Sequence, residues 1–235
     1  MKKIFFNSLL VSILFSACNS SSENKTDEKF SESQIAEASK NANEFFDRVF
    51  DAKIDRDPMQ QSVFGIKKDY GKWQDISETS VQKEVEISKA NLDSLHTNFK
   101  IESLDEQTKI SYRLFEKACE DAIENYKWHL FDYPINQMGG LHTDVPTFLI
   151  NVHAIESKSD AEAYISRLNG INNLFDQLIA NLKLREAQNV IPPKFVFPYV
   201  LNDCKNMTSG QPFDKSGNAN PLLEDFMKKV NALKD

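Results

Sequence analysis

The chain has 235 residues, with 28 lysines and arginines against 35 aspartates and glutamates and a formal net charge of -7. That acidity argues against a nucleic-acid partner, whose phosphates are held by an excess of Lys and Arg. The length suffices for one good core or two small ones.

The N-terminus reads as an export signal. Met1, Lys2 and Lys3 precede an apolar run from Ile4 to Phe15 that only Asn7, Ser8 and Ser12 interrupt. Two lysines ahead of a short apolar run make the n- and h-regions of a secretory signal, and the run falls short of the roughly 20 residues of a membrane-spanning helix. Phe15-Ser16-Ala17-Cys18 then resembles the lipobox of bacterial lipoproteins, with Phe15 where leucine is usual. The expectation is a signal peptide over residues 1–17 and an acylated Cys18 holding the chain to a lipid bilayer. The bland alternative is an ordinary cleaved signal with a chance cysteine. Asn19, where aspartate would favour inner-membrane retention, points to the outer membrane of the cell envelope. Residues 18–32 carry almost nothing to bury and read as a disordered polar tether, leaving 33–235 as the folded domain.

Helical periodicity dominates from there. Ile35, Ala38, Ala42, Phe45, Phe46, Val49 and Phe50 form one apolar stripe, ended by Asp57-Pro58. Val81, Val85, Ser88, Leu92, Leu95 and Phe99 form a second. Ser103-Leu104-Asp105-Glu106 has capping-box spacing and opens a third helix, with Ile110, Leu114, Phe115, Ala118, Cys119, Ala122, Ile123 and Tyr126 on its apolar face. Ser159-Asp160-Ala161-Glu162 has the same spacing ahead of Ile165, Leu168, Ile171, Leu174, Phe175, Leu178, Ile179 and Leu182. Asn220-Pro221 starts the last helix, with a cap followed by proline at the first position. The fold class expected is all-α. Phe195–Leu201 is the one β-like run; Pro198 spoils it as a central strand, and a short helix entered through Pro192-Pro193 is the other reading. Two connections stand out, one at Asp69–Trp73 and a long one from Asp132 to Ser157 containing Gly139 and Gly140.

Few residues offer chemistry. Of the four histidines, His96 reads as solvated at a helix end, and His129 as a surface or capping residue. His142 is the more informative. Within Gln137–Asp144, glycines allow close backbone approach, and His142 with Asp144 could form an oriented acid–base pair or a self-satisfied turn. Glu116, Glu120 and Glu124 share a helix face but alternate with lysines, as an exposed charged face does. No helical two-histidine zinc motif, hydrolase elbow or phosphate loop occurs. Cys119 and Cys204 could form a bridge in an oxidising compartment or be two separate buried residues.

An ordered set of segments then carries a resemblance: Asp57-Pro58 with Phe64-Gly65, Tyr133–Pro146, Phe148–His153, Asp160–Leu168, Ile191–Lys194, and Asn220–Phe226. Over essentially the whole chain from about Ser33, this order resembles the domain of unknown function 885 family, many of whose members are lipoproteins. The resemblance implies a helical zinc-metallopeptidase-like protein that hydrolyses peptides. It places the zinc ligands in a C-terminal half for which this chain has no matching positions. No catalytic residue, cofactor-binding residue or metal ligand is therefore assigned here, and zinc is expected only in that other half. The expectation is a truncated N-terminal part, inactive alone, with Gly139, Gly140, His142 and Asp144 facing a cleft and a peptide or the missing half as partner. The alternatives are a self-sufficient helical lipoprotein that binds a peptide or protein without catalysis, and a split enzyme completed by a second chain.

Overall fold

The computed structural model describes residues 30–233; the signal region, Cys18 and most of the tether lie outside them. The fold is all-α. Among the described residues there are eight α-helices: α1 (Glu32–Asp55), α2 (Pro58–Val63), α3 (Glu78–Asn98), α4 (Glu106–Asn125), α5 (Leu141–Asn151), α6 (Lys158–Ala187), α7 (Val196–Met207) and α8 (Pro221–Asn231). A two-residue antiparallel ribbon of β1 (Ile135–Asn136) and β2 (Gly139–Gly140) precedes α5.

Local chemistry starts most of these helices. Ser31 accepts from the Gln34 N–H while the Gln34 side chain accepts from the Ser31 N–H, a full capping box at the edge of the predicted tether. Asp57 both follows α1 and caps α2, accepting from the N–H groups of Met59 and Gln60 ahead of Pro58. The predicted capping boxes shift. The α4 cap is Asp105, which accepts from Thr108 N–H at 2.7 Å, while Ser103 lies in a preceding 3-10 turn and donates to Lys100. The α6 cap is Ser157, two residues earlier than expected. Asn220 caps α8 as its sequence indicates.

Two apolar clusters divide the molecule. In the first, Ala42 and Phe45 of α1, Leu95 of α3, Leu104 from the turn before α4 and Tyr112 of α4 are buried. Phe45 meets Phe46, Phe99 and Phe115 at ring-centroid distances of 5.8, 5.4 and 5.5 Å. Burying Phe45 contributes roughly 1.5–3 kcal/mol, and the three partly buried rings around it contribute less. The buried face of α4 is Thr108, Tyr112 and Cys119, so the helix is rotated from the predicted stripe and leaves Ile110 and Leu114 exposed. In the second cluster, Val145 and Leu149 of α5, Ile155, and Tyr164 and Leu174 of α6 are buried against Trp73, Ile76, Leu222, Phe226 and Val230.

Arg167 joins segments that are far apart in the chain. Its side chain is fully buried. It donates to Lys72 O at 3.0 Å, Ser62 Oγ at 2.7 Å, Pro58 O at 3.2 Å and His153 Nδ1 at 2.9 Å. The guanidinium lies against the rings of Tyr70, Trp73 and Phe148. Burial draws its pKa down to about 10, so it stays charged at neutral pH. Three carbonyls at the end of α5 (those of Leu149, Ile150 and His153) accept from Lys229 of α8 at 2.8–3.0 Å, which satisfies helix-terminal groups otherwise left without donors.

One sequence expectation is corrected, and one of two open readings is borne out. The long connection from Asp132 to Ser157 contains helix α5, with Pro146 inside it. The β-like run at Phe195–Leu201 is the first half of α7, where Pro198 falls in the opening turn and removes no helical hydrogen bond.

Candidate functional site

A cleft of about 570 Å³ opens between α3, α4, α6 and the start of α5. Its floor is apolar: Val81 and Val85 of α3, Leu178 of α6, Leu141 of α5, with Ile76 and Pro134 from the connections. The extended segment before α3 is pinned across it. Ile76 N–H donates to Gln177 Oε1 at 2.8 Å, and Ile76 O accepts from Asn181 Nδ2 at 2.7 Å.

Charge is arranged around that floor. Asp75, Glu84, Asp132 and Asp144 line the cleft, with Arg185 as the one cation. Arg185 is nearly buried and fully engaged, donating to Asp132 at 2.8 Å, His129 O at 2.9 Å and Asn181 O at 3.2 Å. Glu84 takes a forked pair from Arg56 at 2.8 and 3.1 Å, which holds its carboxyl below the usual range. Asp75 accepts from the Ser77 N–H. Asp144 is exposed in the first turn of α5, where a carboxylate complements the helix dipole. It has no hydrogen bond or ion pair among the described residues.

The loop residues singled out in the sequence part company. Asp144 lines the cleft and His142 does not. Two positions on one helical turn point to different sides, so His142 and Asp144 form no acid–base pair. His142 is buried, with its Nε2 3.5 Å from Asp203 of α7 and neither ring nitrogen hydrogen-bonded. Gly139 and Gly140 form β2 beside the cleft wall. At φ 134°, a Cβ on Gly140 would stand 2.3 Å from Pro134 O, so the ribbon closes only around glycine.

The other histidines are structural. His129 stacks on Tyr126 and faces both Glu78 oxygens at 3.1 Å. His96 is exposed in the last turn of α3, as its sequence indicates, and pairs there with Glu116 at 2.6 Å. Cys119 is buried and Cys204 exposed, and both are free thiols. His153 and Arg167 carried no motif. A signal existed, however: Tyr164, Arg167, Ile171, Leu174 and Leu178 recur at helical spacing, which places Arg167 on the buried face.

Zinc does not fit these residues. A catalytic zinc centre takes three protein ligands. Among the described residues no three His, Cys, Asp or Glu side chains converge on one point, and two of the cleft's carboxylates are already held by arginines.

Residues 58–235 match the family model described as a bacterial protein of unknown function, DUF885. The chain belongs to that family. No curated protein and no solved structure matches it. No helix among the described residues is long and apolar enough to cross a membrane.

Proposed function

We propose that this is a lipid-anchored protein of the bacterial envelope whose helices form the substrate-cleft part of a metallopeptidase-like protein, binding peptide without hydrolysing it unaided. The cleft carries the reading. A groove of about 570 Å³ with an apolar floor and a polar rim suits a short stretch of extended peptide. Membership of the DUF885 family supports the peptidase connection through the resemblance stated above. Anchoring rests on the signal-like run and the lipobox-like Phe15–Cys18.

The test uses the purified chain with added zinc. Blocked pentapeptides should bind, as read by calorimetry, with no cleavage over hours. Chelator-sensitive cleavage by this chain alone would overturn the non-hydrolytic part, and absence of any binding would overturn the cleft reading. For the anchor, radiolabelled palmitate should enter the wild-type protein and not Cys18→Ala. The other reading, a self-sufficient binding module acting without any catalytic half, predicts the same binding with full biological activity from this chain alone.

A further inference from the structure

Four carboxylates line the cleft, and two of them are spent. Glu84 is neutralised by Arg56, and Asp132 by Arg185. The arginines are spent as well, since Arg185 makes its remaining hydrogen bonds to backbone carbonyls. What remains is Asp75 and Asp144, two exposed carboxylates without a cationic partner among the described residues, at the polar rim of a groove with an apolar floor. Like charges lining a low-dielectric cleft focus a field that draws in the opposite charge.

We infer that the cleft selects peptide segments carrying a basic side chain, with the apolar floor taking the aliphatic stem or a neighbouring apolar residue and Asp75 and Asp144 facing the cation. Lysine and arginine suit such a surface because their methylene stems lie along apolar groups while the charged head reaches a polar rim. The inference rests on the proposed peptide cleft and adds the sign of the charge it reads. An acidic peptide would meet uncompensated carboxylates and be rejected.

The probes are three blocked peptides, acetyl-Ala-Leu-Xaa-Leu-Ala-amide with Xaa as lysine, glutamine or glutamate, titrated calorimetrically into the full chain. The lysine peptide should bind tightest and the glutamate peptide weakest, with the lysine preference shrinking as salt is raised. Asp144→Asn and Asp75→Asn should each weaken lysine-peptide binding about two- to five-fold, the range for a partly exposed ion pair, and leave glutamine-peptide binding unchanged. Both side chains are exposed, and circular dichroism would verify that the fold is intact. Equal binding of the lysine and glutamine peptides would overturn the charge preference while leaving the peptide cleft standing. Binding of none of the three would remove the cleft reading itself.

Discussion

Arg167 Nη1 lies 2.9 Å from His153 Nδ1. A guanidinium has only donors to offer, so the imidazole accepts at Nδ1 and carries its proton on Nε2. That Nε2–H is 3.0 Å from Asp160 O and donates to it. The ring is sandwiched further, stacked on Tyr70 at 4.2 Å and edge-on to Tyr164 at 5.2 Å. The arginine therefore dictates the tautomer of a fully buried histidine, and burial first, then the arginine's charge, keeps it neutral.

Acid should loosen this centre. Burial, reinforced by the charges of Arg167 and Lys229, lowers the His153 pKa from 6.5 to about 4. A base whose folded pKa is depressed leaves stability intact above its unfolded value. Below that value the unfolded chain takes up the proton first, and stability falls as the pH drops from 6.5 toward 4. The loss attributable to this group is on the order of 3 kcal/mol. Urea unfolding at pH 7.5, 5.5 and 4.5 would show it, and His153→Gln should flatten the slope across that window. An unchanged slope in the variant would refute the assignment.

Arg167 should resist even conservative replacement. Lysine cannot reproduce donation to Lys72 O, Ser62 Oγ, Pro58 O and His153 together, because it lacks the planar fork. Arg167→Lys and Arg167→Met are each expected to cost about 3–5 kcal/mol, the range for breaking a buried charged network. Chemical denaturation measures this directly. A cost under about 1 kcal/mol would show the network to be dispensable.

His142 should behave in the opposite way. Its two ring nitrogens are buried with no hydrogen bond, and only the Asp203 carboxylate stands nearby. Replacing a buried, unsatisfied polar ring by an apolar side chain of similar size can be neutral or stabilising. His142→Leu is therefore expected to match or exceed the wild-type melting temperature. A fall of many degrees would mean that the contact with Asp203 matters to the fold.

Gly140 should tolerate no side chain. A Cβ would meet Pro134 O at 2.3 Å, and a φ of 134° strains any L-residue. Gly140→Ala should cost about 1–3 kcal/mol and disturb Leu141 and Pro134 on the cleft wall. Gly65→Ala is the comparison: a Cβ there meets nothing within 4 Å, although φ is 73°. The substitution at Gly140 should be the more damaging of the two.

The sequence made some of this legible. The α1 and α3 stripes, and the Asn220-Pro221 start of α8, follow from spacing and cap chemistry alone. Helix α5 was hidden because Gly139, Gly140 and Pro146 all read as breakers, although the glycines belong to the ribbon before it and Pro146 is tolerated within it. The rotation of α4 was hidden for another reason. Thr108 and Tyr112 face inward because Asn43 donates to Thr108 and Tyr112 joins the α1 and α3 cluster, contacts from distant chain segments that periodicity does not report. At the candidate site, Asp144 was legible as a polar residue in a glycine-rich stretch. Asp75, Asp132 and Arg185 gather only through tertiary packing.

Arg167 also bears on how slowly the molecule comes apart. Its partners Pro58, Ser62 and Lys72 lie 109, 105 and 95 residues away in sequence, whereas the first cluster closes within the span from Ala38 to Phe115. Contacts across such long loops are entropically costly to form and belong to the late stages of assembly. Interactions absent from the folding transition state set the unfolding rate and leave the folding rate nearly untouched. Arg167→Met should then accelerate unfolding far more than it slows refolding in stopped-flow traces. The guanidinium works as a kinetic clasp, fastened late and decisive for how long the native state persists.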